Sequence, residues 1–456
     1  MKVLLMKMVS LLLALLGFSL LPVVPNQLEA ATIIKFKEGG NLQALQAKTK
    51  GVRYLPSLGL AIVKSSLPPS SPDVDFQEDD QPIEMAALPN DTYLGESFHL
   101  GWADELLNYS SAWGKTTGAS DLVVAILDTG IDLYHKDLQG NIWVNSGEIP
   151  SNGSDDDHNG YTDDVTGYDF INDDIDPSDD SGHGTHVAGI IGAVGDNEFG
   201  IAGMNWRVSL LPLKIADAEG NGRTSAVLEA IDYAIRSGAR IINASWVVRP
   251  KKDGMVSLEA MQHAFEKLEE KGILVVAAAG NGRDGEGGKN LSKEPFYPAS
   301  LHLGNFLVAA AVNSEGKLTP VSNYGSESVD LGAPGHSVLS TYPGDRFQRS
   351  SGTSVSAAFI TGAAGLVLAL HPEWKAEQLV QALKSTARPV DDLQGRVGTG
   401  GVLDVGKAVE WQPVQVTTAS GSTSSQAKDI PVEKNKEGAP PPPSRGSGGG
   451  CSRVGY

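Results

Sequence analysis

The chain of 456 residues has one cysteine, Cys451, so no disulfide can form within it. Basic residues are also scarce: 36 Lys and Arg stand against 55 Asp and Glu, a formal net charge of −19. No basic stripe is on offer to a phosphate backbone, which argues against nucleic acid as a partner. Zinc is disfavoured too, because His99, His135, His158, His336 and His371 lack neighbours at ligand spacing. What remains is 41% hydrophobic and 20% charged, the balance of a soluble globular protein.

The N-terminus supplies an apolar run. Lys2 and Lys7 precede it, Met8 to Val24 form it, and Leu28-Glu29-Ala30-Ala31 offers small residues for cleavage. Residues 1–30 are therefore expected to be an export signal, placing the protein in a secreted or periplasmic setting. An exported chain without disulfides needs another way to pin its loops, and bound metal ions are the obvious one.

Residues 31–66 form a short α+β pattern, with strands expected at Thr32–Lys37 and Leu58–Lys64 and a helix at Asn41–Lys48. Residues 67–88, rich in Pro, Ser, Asp and Glu, are expected to be a linker. From 89 to 411, apolar strand-like runs such as Leu122–Leu127, Val208–Ile215, Arg240–Ala244, Ile273–Ala278 and Phe306–Val312 alternate with helical stretches. That alternation predicts an α/β fold: a doubly wound, mostly parallel central sheet with helices on both faces. Functional groups in such sheets gather beyond the carboxyl ends of the strands. Residues 412–456 change to Ser/Thr, then Pro, then Gly, as in an extended tail.

Three motifs place a reactive side chain among small residues: Asp128-Thr129-Gly130, Gly182-His183-Gly184-Thr185-His186, and Gly352-Thr353-Ser354. A serine hydroxyl needs a base to take its proton, and the base needs an acceptor to fix its tautomer. Ser354, His183 and Asp128 can fill those roles. Ser354 is expected just before an apolar helix, Ser356–Leu370, so that its N–H faces a developing oxyanion. Asn281, after Ala277-Ala278-Ala279-Gly280, can add a side-chain donor.

These four motifs, in this order, resemble the subtilisin family of serine endopeptidases (subtilases) from about Pro89 to Val409. The resemblance implies peptide-bond hydrolysis, protein or peptide substrates, a monomer, and a pro-segment at 31–66 acting as intramolecular inhibitor until it is cut away. It also implies that Ser245, Trp246, Val247 and Gly280 line the substrate cleft. Two departures stand out. Ala358 and Phe359 replace the usual Pro-His, and Trp246-Val247-Val248 replaces a glycine-rich segment, which should reshape the P1 subsite.

Acidic clusters remain. Asp155, Asp157 and Asn159 alternate before Gly160 as in the first half of a calcium loop. The twelfth position is Thr166, so the loop is no EF-hand, and Asp163 or Asp164 must close the shell. Similarity to the thermitase-like branch implies a second calcium loop through Asp169, Asn172, Asp174 and Asp176. The same branch implies a third site from Asp91, Asp137 and Asp196 or Asn197. The rival to an active enzyme is an impaired subtilase scaffold serving as a calcium-bound surface or binding protein. The Gly-rich stretch before Cys451 leaves cell-surface attachment through the tail open.

Overall fold

The computed structural model describes the strand residues 32–36, 52–55, 60–63 and 74–79, and then residues 90–93, 102–248, 258–282 and 286–413. The expected export signal, the Asn41–Lys48 helix and nearly all of the tail lie outside the described residues. The chain divides into two compact units, residues 1–85 and 86–456.

The first unit holds an antiparallel sheet of β1 (Thr32–Phe36), β2 (Val52–Leu55), β3 (Leu60–Val63) and β4 (Val74–Asp79), in the order β2-β3-β1-β4. β4 lies inside the segment expected to be a linker, which corrects that boundary. Its Val74-Asp75-Phe76-Gln77 alternates apolar and polar residues, a period-2 pattern hidden by the surrounding Pro and Ser.

The second unit is built on nine strands. They are β5 (Gly118–Asp128), β6 (Tyr168–Asp169), β7 (Arg207–Lys214), β8 (Ile241–Ala244), β9 (Leu274–Ala278), β10 (Phe306–Val312), β11 (Leu331–Pro334), β14 (Arg388–Pro389) and β15 (Gly401–Val402). Their order is β14-β15-β11-β10-β9-β8-β5-β7-β6, and only the β14–β15 pair is antiparallel. The hairpin β12 (Val338–Tyr342) and β13 (Arg346–Ser350) stands apart. Every residue of β8, β9 and β10 is buried, so both faces of the sheet are covered. The doubly wound architecture expected from the sequence is the one the chain adopts.

Two short helices, α1 (Trp102–Leu107) and α2 (Tyr109–Trp113), precede the sheet, and six more follow: α3 (His183–Gly192), α4 (Thr224–Arg236), α5 (Glu259–Lys271), α6 (Thr353–Leu370), α7 (Ala376–Ser385) and α8 (Val405–Ala408). α6 is apolar around its whole circumference, and it packs on β5, β8, β9, β10 and β11 and against α3. It is long and apolar enough to cross a membrane, but it is the core helix of this unit, 89% buried. α5 by contrast buries only Met261, Phe265 and Leu268, spaced four and three apart, and ends at Gly272 with φ 70°.

β5 is where the winding reverses: its neighbours are β7 on one side and β8 on the other. A crevice forms at such a switch point, beyond the carboxyl ends. Asp128 is the last residue of β5, Ser245 follows β8 and Asn281 follows β9 by three residues. Three adjacent strand ends, each roughly 4.8 Å from the next, therefore carry three candidate residues.

The core predicts its own sensitivity. Phe265 is fully buried with its ring 5.2 Å from that of Phe306. Phe265→Ala should destabilise the folded chain by about 3–5 kcal/mol. Urea unfolding of Phe265→Ala in a Ser354→Ala background, which prevents self-digestion, measures this against the Ser354→Ala parent.

Candidate active site

His183 is the first residue of α3, and Gly182 before it has φ 95°. A Cβ on Gly182 would collide with the Tyr342 ring, so this turn admits only glycine. The turn delivers His183 Nδ1 to 2.7 Å from Asp128 Oδ1. Since the acceptor is a carboxylate, Nδ1 carries the hydrogen and Nε2 presents a lone pair outward. Asp128 is 4% exposed, and its Oδ1 also accepts from the Thr129 N–H at 2.8 Å, while its buried Oδ2 has no partner. The neighbouring Asp128 charge pushes the His183 imidazole above its ordinary 6.5, burial opposes this, and the hydrogen bond and Asp179 add to the rise.

His186, the second histidine of the motif, sits one turn on. Its Nε2 lies 3.1 Å from both Val338 O and Gln348 O, so Nε2 bears the hydrogen and donates to the hairpin. Burial lowers its pKa to about 4. It is a neutral strut between α3 and the β12–β13 hairpin.

α6 begins at Thr353, three residues before the start that the sequence pattern suggested, so Ser354 stands within the first helical turn. Two motifs interlock here. The Thr353 N–H donates to Asn281 Oδ1 at 3.1 Å, and the Gly280 N–H donates to Thr353 Oγ1 at 3.0 Å. The first bond fixes the Asn281 amide with Nδ2 as its donor end. A Cβ built on Gly352 would lie 3.3 Å from Asn281 Nδ2 and 3.4 Å from Ser354 Oγ, so amide and hydroxyl border one space. That space also lies at the N-terminus of an 18-residue helix, where backbone N–H groups favour negative charge. Among the described residues no hydrogen bond joins Ser354 to His183. Such contacts tighten on substrate binding in many unliganded sites.

Ser245, expected to line the substrate cleft, is 8% exposed, with its hydroxyl donating to Ser354 O at 3.2 Å and accepting from Asn243 Nδ2 at 2.8 Å. Asn243 Oδ1 accepts from Thr361 Oγ1 at 2.9 Å, which completes a buried polar chain from β8 to α6. Val248 pairs with Tyr297 through both backbone groups, at 2.7 and 3.0 Å. Gly280, at φ 85°, has Val247 Cγ1 and Phe296 Cδ2 close to where its Cβ would be. Asn323 Nδ2 is as near, so one amide and two apolar side chains surround Gly280 beside Asn281.

The carboxylates fall into three groups. Glu148, Asp155 and Asp157 offer oxygens all within 4.8 Å of one another, the one group of three acidic or histidine ligands among the described residues. Glu148 was missed because it precedes the acidic run. Asp163 does not join them: it accepts from the Asn152 and Gly153 N–H groups, both at 3.0 Å. Asp164 is buried and committed to the Tyr233 hydroxyl and to Asn145 and Asn159. Asn159 is bound to Asp157 and Asp164 through its amide nitrogen.

Asp169 spends both carboxylate oxygens inside its own loop, on the Ile171 and Asn172 backbone and the Asn172 amide. Asp174 and Asp176 are exposed, each accepting from the N–H two residues on. Asp91 and Asp137 are both buried. Asp91 Oδ2 accepts from the Asp196 N–H at 3.0 Å, whereas Oδ1 is buried without a partner. Asp137 accepts from Asn197 Nδ2 and the Ile201 N–H, and burial raises its pKa to about 7, with Asp91 adding to the rise.

An acid–imidazole pair, a hydroxyl at a helix N-terminus and an amide donor beside it are the parts of a nucleophilic hydrolase. The sequence pattern of the Subtilase family matches residues 119–405, which include all of them. The chain belongs to the subtilase family. It is 33% identical over 345 residues to the thermophilic serine proteinase of Bacillus sp. (strain AK1), covering 76% of this chain and 74% of that one. It is 31% identical over 327 residues to thermitase of Thermoactinomyces vulgaris, covering 72% and 99%. A solved protease structure from Pseudoalteromonas arctica PAMC 21717 superposes with a TM-score of 0.56 at 27% identity, over 71% of this chain and 99% of that one. This subtilase is accordingly a serine-type endopeptidase acting on protein substrates.

Asn281→Ala should lower kcat by about 100- to 1,000-fold, the range already known for the equivalent donor in subtilisin, with little change in KM. Steady-state hydrolysis of a chromogenic peptide measures both constants.

Proposed function

We propose that this subtilase is an exported, calcium-stabilised endopeptidase in which Ser354, His183, Asp128 and Asn281 carry the chemistry. The observation that carries this is the 2.7 Å bond from His183 Nδ1 to the buried Asp128, which leaves Nε2 ready to accept a proton. Ser354 Oγ attacks the scissile carbonyl as its proton passes to His183 Nε2. The resulting oxyanion accepts from Asn281 Nδ2 and the Ser354 backbone N–H. Collapse breaks the C–N bond, and the His183 proton leaves with the amine. Water then attacks the acyl-enzyme, with His183 as base again, and frees the carboxylic acid and Ser354.

Residues 31–79 would serve as the pro-segment, inhibiting in cis until cleavage beyond β4 separates the two units. The basic start and apolar run of residues 2–24 support export. Calcium fits two places, both with hard oxygen donors. At the first, Asp91 leaves a buried oxygen without a partner beside the equally buried Asp137, and a cation there would relieve both carboxylates. At the second, Glu148, Asp155 and Asp157 converge. The loop of Asp169, Asn172, Asp174 and Asp176 is better satisfied by its own hydrogen bonds. The ion would stabilise loops and take no part in bond breaking.

Treatment with a fluorophosphonate should add one phosphonyl group to Ser354 by intact-mass and peptide analysis, and Ser354→Ala should abolish the adduct. An unlabelled but folded protein would favour the impaired scaffold. Chelation should lower the melting temperature of the Ser354→Ala protein, because an ion at about 100 times its Kd adds roughly 2.7 kcal/mol. Differential scanning calorimetry with and without chelator reads this, and an unchanged transition would remove calcium from the account.

A further inference from the structure

Asp179 lies four residues before His183, and no sequence motif singled it out. It is half-buried, yet it accepts five hydrogen bonds. Its Oδ1 takes the Ser181 N–H at 3.0 Å, the Gly182 N–H at 2.8 Å and the Thr129 hydroxyl at 2.8 Å. Its Oδ2 takes the Thr185 N–H at 2.8 Å and the Thr185 hydroxyl at 2.6 Å. Three of these donors are backbone groups of the turn and first helical turn that hold His183. A fourth is the side chain of the residue next to Asp128.

Thr129 closes the link from the other side. Its hydroxyl oxygen accepts from the Gly184 N–H at 3.0 Å while its hydrogen goes to Asp179. The Thr129 carbonyl accepts from Lys214 Nζ at 2.8 Å, and that ammonium, almost fully buried, pairs with Asp180 at 2.7 Å. Adjacent carboxylates, Asp179 directly and Asp180 through Lys214, therefore grip the residue that follows Asp128. A carboxylate at a helix N-terminus is stabilised by the N–H groups it accepts from. Both the loop before α3 and the end of β5 are thereby held in one hydrogen-bonded network.

We propose that Asp179 is a positioning residue for hydrolysis, a second carboxylate that docks the turn carrying His183 onto the end of β5 and adds its charge to the field at the imidazole. The inference rests on the assignment of Asp128, His183 and Ser354 given above. The groups facing His183 are Asp128 from β5, Asp179 from the preceding loop, the neutral His186 one turn along α3, and Tyr342 from β12, whose hydroxyl donates to Ser181 O. Lys214 and Asp180 stand beyond Thr129. Asp179 also contributes to raising the His183 pKa.

Two consequences separate positioning from bulk stability. A misplaced base slows the reaction, by roughly 10- to 100-fold for a shift on the order of 1 Å. Loss of the Asp179 charge also makes the imidazolium less favourable, so the His183 titration moves to lower pH. A purely structural carboxylate would lower the melting temperature and leave that titration in place.

The experiment is the second-order rate of fluorophosphonate addition to Ser354, followed across the acid and neutral range for the full chain. Asp179→Asn keeps the shape and removes the charge; it should react about 10- to 100-fold more slowly at neutral pH, with its half-rate point at lower pH than wild type. A wild-type rate and half-rate point overturn the proposal, as does a slower rate with the half-rate point unmoved. If Asp179→Asn does not fold, Thr129→Val decides, since it removes the hydroxyl between Asp179 and Gly184. It should be slowed while Thr129→Ser reacts close to the wild-type rate, and an unslowed Thr129→Val overturns the proposal. Failure of wild type itself to form the Ser354 adduct strikes the catalytic assignment, a result distinct from all of these.

Discussion

A carboxylate held at 4% exposure is costly unless its charge is met, and Asp128 meets it at one oxygen with the Thr129 N–H and the His183 imidazole. That requirement shapes the surroundings. The chain must bring a histidine back from 55 residues away, turn sharply at Gly182 to aim it, and hold the turn against Tyr342 and Asp179. The sheet supplies the platform, because β5 is the strand at which the winding reverses and so the one whose end opens into a crevice. Moving Asp128 one residue along β5 would turn its side chain to the other face.

The Ser354 side of the proposed site is anchored by a separate set of hydrogen bonds. Ser354 is tied through Ser245 and Asn243 to the end of β8, and through Thr353 to Gly280 and Asn281 beyond β9. α6, buried along almost its whole length, fixes the direction from which the hydroxyl arrives. Two hydrogen-bonded halves meeting at one crevice suit the proposed reaction, whose rate depends on preorganised donors and on small distances. The polar groups that make this possible are nearly all paired, which is what a buried network demands.

Much of this was legible in the sequence. The strands of the second unit read as continuous apolar runs because they are covered on both faces, and the four motifs read as chemistry because reactive residues sit among glycines. The hairpin was not legible: Arg346–Ser350 is polar and largely exposed, so no apolar period marks it. β4 was lost in a segment whose Pro and acidic residues dominated its alternation. The bond from Ser245 to the Ser354 carbonyl was not legible, because the two residues are 109 apart in the chain. Asp179 and Glu148 share that difficulty, since their significance lies in what folding brings to them. Asp163 shows the converse, a well-spaced acid that the backbone turns toward Asn152 and Gly153 instead.

The central claim is that the buried Asp128 charge governs the protonation of His183, and nitrogen-labelled histidine NMR tests it most directly. In the Ser354→Ala protein, with His183 assigned by its absence from a His183→Gln spectrum, the His183 ring should titrate above the ordinary 6.5 and should fall in Asp128→Asn. A His183 titration at or below 6.5, or one indifferent to Asp128→Asn, would contradict the account.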